Sequence, residues 1–218
     1  MRYMGGLRRL MPWTYGAVMI GGLSLSGIFP MAGFWSKDEI LNHAWHSSSV
    51  VSDVVFWLAI IAAFMTSFYM FRAIFMTFEG KYKGGAKSDP SMDVSEETTP
   101  HESPRVMIVP LILLSIAPLI VGWLVNPLTN IGSIPIHWFA DFIHIGDGHE
   151  KVLAFNKILA VIASLVAVSG ILLAYLMYVS KFRIFDSLQN KTNKVYKLLI
   201  SKYYFDEFYE DVITRDDR

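Results

Sequence analysis

The sequence predicts an all-α, polytopic membrane helix bundle of about four spans, the first a Pro-broken helix, with an amphipathic cytoplasmic tail. Three observations predict it. Only 17% of the 218 residues are charged and 53% are hydrophobic, against about 25% charged and about 45–50% apolar in an ordinary soluble domain. Long windows are free of charge: 10–36, 54–71 (running on past Arg72 to 78), 106–140 with its apolar core at 106–125, and 158–180. Lys and Arg also alternate between the connecting segments: fifteen fall in 1–12, 79–105 and 181–218, and only two, Lys37 and Lys151, in 35–53 and 127–153. The positive-inside rule then places both termini and the 79–105 segment in the cytoplasm.

Each window suits a span. Crossing a hydrocarbon layer about 30 Å thick takes about 20 apolar residues at a rise of about 1.5 Å each. Helices are the natural form, because an open sheet edge cannot satisfy its backbone in lipid. A soluble helical core is the competing reading, but four such windows leave too little polar surface for it. Nineteen Lys and Arg balance nineteen Asp and Glu, so no basic excess points to nucleic acid. The absence of cysteine excludes a disulfide scaffold, a Cys-ligated zinc site, iron–sulfur ligation and a thiol nucleophile.

The first block, 1–80, holds the broken helix and the second span. Arg8 and Arg9 precede an apolar run too long for a signal peptide and without a small-residue cleavage site, so the run reads as a retained span. A single helix over 12–45 would hold 34 residues and reach about 51 Å, well beyond the hydrocarbon thickness. Pro30 lacks a backbone donor, and Gly21, Gly22, Gly27 and Gly33 loosen the same region. The spacing therefore predicts one half-helix before Phe29, a short irregular turn, and a second half carrying Lys37, Asp38 and Glu39. Broken helices at membrane depth are a recurring device for ion sites. A desolvated lysine can take and release a proton near neutral pH, which makes Lys37 the foremost candidate, with Asp38 and Glu39 tuning it or acting as the next relay stop. The competing reading has Lys37 snorkelling to headgroups at the outer interface. Arg72 is an ionisable group inside a span and so a second candidate, although its place near the cytoplasmic end also lets it reach headgroups. Thr66 and Ser67 read as interhelical hydrogen-bond glue.

The remaining blocks carry less chemistry. Residues 81–105 read as a flexible cytoplasmic linker, rich in Gly, Ser, Thr, Pro, Lys and Glu. Residues 106–180 hold the third and fourth spans around an outer loop, 126–153. His137, His144 and His149, with Asp141, Asp147 and Glu150, match no ligand spacing. They read as scattered surface groups, so no metal is expected, and His43 and His46 read as outer-interface residues. Residues 181–218 read as an amphipathic segment along the inner membrane surface, ending in mid-pattern.

Three pieces in order, MGGLRRLMPWTYGAVMIGGLSLSGIFPMAGFWSKDEIL, FMTSFYMFRAIFMTFEG and YYFDEFYEDV, resemble the carboxy-terminal part of the largest antiporter-like subunit of respiratory complex I, the L or 5 chain family of NADH-quinone oxidoreductase. Mrp-type sodium/proton antiporter subunits share the first piece; the tail favours complex I. The resemblance implies two linked proton half-channels joined by buried lysines, glutamates and histidines. Lys37 falls on the lysine of the second broken helix, in the outward-leading half, and Asp38 is its acidic neighbour. It implies that the tail approaches a long lateral helix and that about a dozen spans precede this region, so that the chain is a fragment, inactive alone. It implies partners among the other membrane-arm subunits, including the missing amino-terminal spans, and residence in a bacterial plasma membrane. NAD, FMN, iron–sulfur clusters and quinone would be bound by those other subunits, with no cofactor in this chain. The alternatives are an Mrp-type antiporter subunit and a purely structural membrane component.

Overall fold

The computed structural model describes residues 4–47, 49–84, 100–125 and 155–180. The outer loop, most of the linker and the tail after Ser180 lie outside them, and with them the expectations for His137, His144, His149, Asp141, Asp147, Glu150 and the amphipathic segment. The described residues are all-helical: a short turn of helix at Leu7–Arg9, then α1 (Pro12–Ser26), α2 (Ala32–His46), α3 (Val50–Phe78), α4 (Arg105–Val125) and α5 (Lys157–Tyr178). Three helices are long and apolar enough to cross a membrane: α3, α5, and α4 over Arg105–Gly122. The first charge-free window folds as two helices of 15 residues each, about 22 Å long apiece and too short to cross singly.

The helix ends follow from local chemistry. Pro12 opens α1, where its missing N–H is no loss. The Met11 side chain offers no cap, and Glu102 supplies one from across the molecule: its carboxylate accepts from Trp13 N at 2.9 Å and from Thr14 Oγ1 at 2.6 Å. Ser49 caps α3 by accepting from Val51 N at 3.3 Å, with Asp53 in the first turn. That polar start carries α3 four residues upstream of the charge-free window at 54. Asn156 caps α5 through Ile158 N and Leu159 N.

Packing reverses the soluble pattern. α5 turns Ala160, Ala163, Ala167, Gly170 and Ala174 toward its neighbours, Ala167 and Ala174 being almost fully buried. Small residues let helices approach closely where lipid removes the usual apolar driving force. At Gly170 the approach is tightest: a Cβ there would lie 2.7 Å from Phe64 O on α3 and 3.1 Å from Ser67 Cβ. The buried positions of α3 (Phe56, Ala63, Ser67, Phe71, Ile74 and Phe78) repeat at the three-and-four spacing of one helix face. The large apolar side chains Trp57, Leu58, Ile61 and Met65 of α3, and Leu165 and Leu172 of α5, face outward, as a lipid-facing surface requires. Inside lie Ser24, Ser26, Asp38, Asn42, Ser67 and Ser115.

A polar cluster at the helix break

α1 and α2 meet at a turn built by its sequence. Gly27 takes the left-handed conformation at φ 78°, which glycine adopts without steric cost. Gly27 N donates to Ser24 O at 3.0 Å and Ile28 N to Leu23 O at 3.2 Å, the paired bonds of a Schellman helix end. The Phe29–Pro30 peptide is cis, and α2 resumes at Ala32. Gly33 sits so close to the end of α1 that a Cβ would fall 1.9 Å from Ser24 O. Gly33 N also meets Ser24 Oγ at 3.4 Å.

The two turn bonds satisfy the carbonyls of Leu23 and Ser24 and leave those of Leu25 and Ser26. The Leu25 carbonyl accepts from Lys37 Nζ at 2.6 Å. An ammonium is thus laid against the partly negative carboxyl end of a helix. Gly27 makes room for it, since a Cβ there would be 2.9 Å from Lys37 Cδ. The Ser26 carbonyl faces Ser67 Oγ at 3.4 Å; the Ser67 hydroxyl also reaches Ala63 O in its own helix at 2.9 Å. Ser67 is fully buried, so Ser67 links α3 to α1 as expected. Thr66 does not: its hydroxyl donates to Ala62 O one turn back on the same helix, because position 66 lies off the face that α3 buries.

Asp38 follows Lys37 into the interior and is 3% exposed. Its Oδ1, together with Ser26 Oγ and Trp35 Nε1, is buried without a hydrogen-bond partner among the described residues. Buried polar atoms nearly always have partners, and three without one around a single break mark the place as polar by design. An aromatic wall closes one side, with Phe34, Trp35 and Phe155 rings at centroid distances of 5.3 to 6.4 Å.

The structure thus joins two of the four sequence candidates in this region. Glu39 is exposed. Arg72 lies elsewhere: it is exposed near the end of α3, with its guanidinium carbon 5.6 Å from the centroid of the Tyr178 ring, a cation–π contact rather than a relay position. His43 and His46 lie in the last turn of α2, His46 Nδ1 being 2.9 Å from Asn42 O. No cluster of metal-ligating side chains occurs among the described residues. No pattern in the sequence marks Ser26 or Glu102; their roles depend on partners 41 and 88 residues distant.

Comparison with known proteins covers the whole chain. Residues 72–215 match the family model for the carboxy-terminal transmembrane segments of a complex I NADH dehydrogenase chain. Residues 1–66 match the model described as NADH:quinone oxidoreductase/Mrp antiporter, TM. The chain is 34% identical over 220 residues to the chloroplastic NAD(P)H-quinone oxidoreductase subunit 5 of Mesostigma viride, covering 100% of this chain and 32% of the relative. It is 33% identical to NAD(P)H-quinone oxidoreductase chain 5 of Synechocystis, covering 100% of this chain and 35% of the relative. It is 31% identical to NADH-quinone oxidoreductase subunit L of Neisseria meningitidis, again covering 100% of this chain and 35% of the relative. The chain therefore spans about a third of the length of these relatives.

Proposed function

Because the chain belongs to the family of antiporter-like membrane subunits of NADH:quinone oxidoreductase, we propose that it forms part of a proton channel in the membrane arm of that enzyme, coupled to quinone reduction. Lys37 is the relay group and Asp38 its acidic partner. The observation that carries this is the cluster at the break: a lysine ammonium on an exposed helix end, beside buried polar atoms of Ser26 and Asp38 that await partners. Water or side chains from neighbouring spans would complete those bonds and give a proton somewhere to go. Glu39 and Arg72 take no direct part.

The remaining membrane-arm subunits, and spans belonging to the longer relatives, are the partners. The redox groups (NAD, FMN, iron–sulfur clusters and quinone) sit in other subunits. The distribution of Lys and Arg supports a cytoplasmic position for residues 1–12 and 79–105, and in a bacterium the membrane is the plasma membrane.

The test is Lys37→Met in the assembled full-length enzyme, read as NADH-driven proton uptake by inverted vesicles. Uptake falls severalfold while assembly persists; unchanged uptake overturns the role. The match over 1–66 is shared with Mrp antiporters, so sodium-dependent proton exchange in vesicles without NADH would favour that second reading.

A further inference from the structure

A second polar site lies at the other end of α1, well away in sequence from the break. Gly6 N donates to Glu79 O at 3.0 Å, which ties the segment before α1 to the residue that follows α3. The contact is backbone against backbone. A Cβ on Gly5 would fall 2.6 Å from Lys81 O, and one on Gly6 would fall 2.9 Å from Tyr82 N. Gly80, by contrast, faces open space. The result is a cavity of about 570 Å³ lined by Gly6, Arg8, Arg9, Glu79 and Gly80.

The two arginines differ. Arg8 is oriented: its Nη1 is 3.1 Å from Glu79 Oε1, and its guanidinium carbon is 5.1 Å from the centroid of the Tyr15 ring. Arg9 has no ion pair among the described residues. Glu79 neutralises one of the two charges, so the cavity keeps one net positive charge. Its depth follows from the helices: α1 begins at Pro12 and the apolar α3 ends at Phe78, so the cavity sits where a span leaves the hydrocarbon and meets headgroups.

We infer that this cavity binds the phosphate of an anionic phospholipid. A glycine-walled recess at headgroup depth admits the phosphate ester, and Arg9 offers the donor fork that matches it. Arg8, held by Glu79 and Tyr15, offers a second donor edge without having to be ordered on binding. The acyl chains then run along the outward apolar face of the bundle. This binding is independent of proton transfer at Lys37.

The experiment uses the full-length protein in its native assembly, reconstituted into nanodiscs of phosphatidylcholine with added phosphatidylglycerol. Retained lipid is counted by native mass spectrometry as the phosphatidylglycerol fraction is raised. Arg9→Gln, an exposed change that leaves the fold alone, is expected to weaken retention roughly fivefold, the effect of one arginine near an anionic surface. Glu79→Gln removes the competing carboxylate and is expected to strengthen it. Lys157→Gln, at the start of α5, is the control and leaves it unchanged. Wild-type retention in Arg9→Gln overturns the site. So does equal protection of the delipidated protein by inorganic phosphate, which would identify a free anion as the occupant.

Discussion

Lys37 Nζ and Leu25 O are 2.6 Å apart, so a side chain from the second half-helix completes the carbonyl accounting of the first. The Schellman bonds use the carbonyls of Leu23 and Ser24, and the lysine takes the next one. Its ammonium is therefore both a structural cap and a titratable group, and the two roles separate by substitution.

Lys37→Arg separates them. Arginine keeps a permanent positive charge and can still donate to the end of α1, but it does not release its proton. The expected outcome is normal assembly, seen on native gels, with proton uptake lowered at least tenfold. Uptake close to wild type would mean that residue 37 only caps the helix.

Gly33→Ala tests the closeness of the two half-helices. The added Cβ would fall 1.9 Å from Ser24 O, a backbone atom that cannot swing aside. A destabilisation of about 3 kcal/mol or more is expected, toward the upper end for overpacking, measured by thermal unfolding of the detergent-solubilised assembly. Gly21→Ala is the control, since a Cβ there meets nothing within 4 Å.

Gly170→Val tests the α3–α5 seam. Even the first added carbon would lie 2.7 Å from Phe64 O, and valine adds two more. The helices must part, at a cost of about 1–3 kcal/mol. Ser67 rides on the displaced face, so loss of stability should be accompanied by faster proteolysis near the break.

Glu102 gives a pH dependence. Burial acts to raise its carboxyl, but hydrogen bonds from Thr14 Oγ1 and from the backbone of Trp13 and Ser103 outweigh it and hold the group below the ordinary carboxylate range. With the folded value depressed, the cap's contribution is present above the ordinary carboxylate range and is lost as pH falls through the folded value. Glu102→Ala should cost about 1 kcal/mol at neutral pH, as lost helix caps do. The difference from wild type should shrink in acid; a gap constant with pH would show that the carboxylate charge is not involved.

Much of this was legible in the residues themselves. Pro30, the glycines around it and the surplus length of 12–45 announced a break, and α1 and α2 fall on either side of it. The charge-free windows located α3, α4 and α5, because the length a bilayer demands is written directly in composition. The start of α3 at Val50 was set by a Ser49 cap that hydropathy does not register. Ser67 was singled out as interhelical glue, but its partner was not, because the Ser26 carbonyl is exposed only once the turn at Gly27 has formed. Thr66 and Ser67 looked equivalent in sequence; a rotation of one residue on the helix separates them. Glu102 sat in a stretch whose composition suggested only flexibility, and its function depends on the arrival of α1 beneath it.

The tether at Gly6 N to Glu79 O and the Glu102 cap on α1 fasten the two sides of the connection between α3 and α4 independently. Evolution can therefore lengthen or shorten that stretch without disturbing the register of either anchor. The entropic penalty rises only slowly with length, by about 0.6 kcal/mol for each doubling. The connection is thus a natural place to insert an affinity tag or a fluorescent reporter.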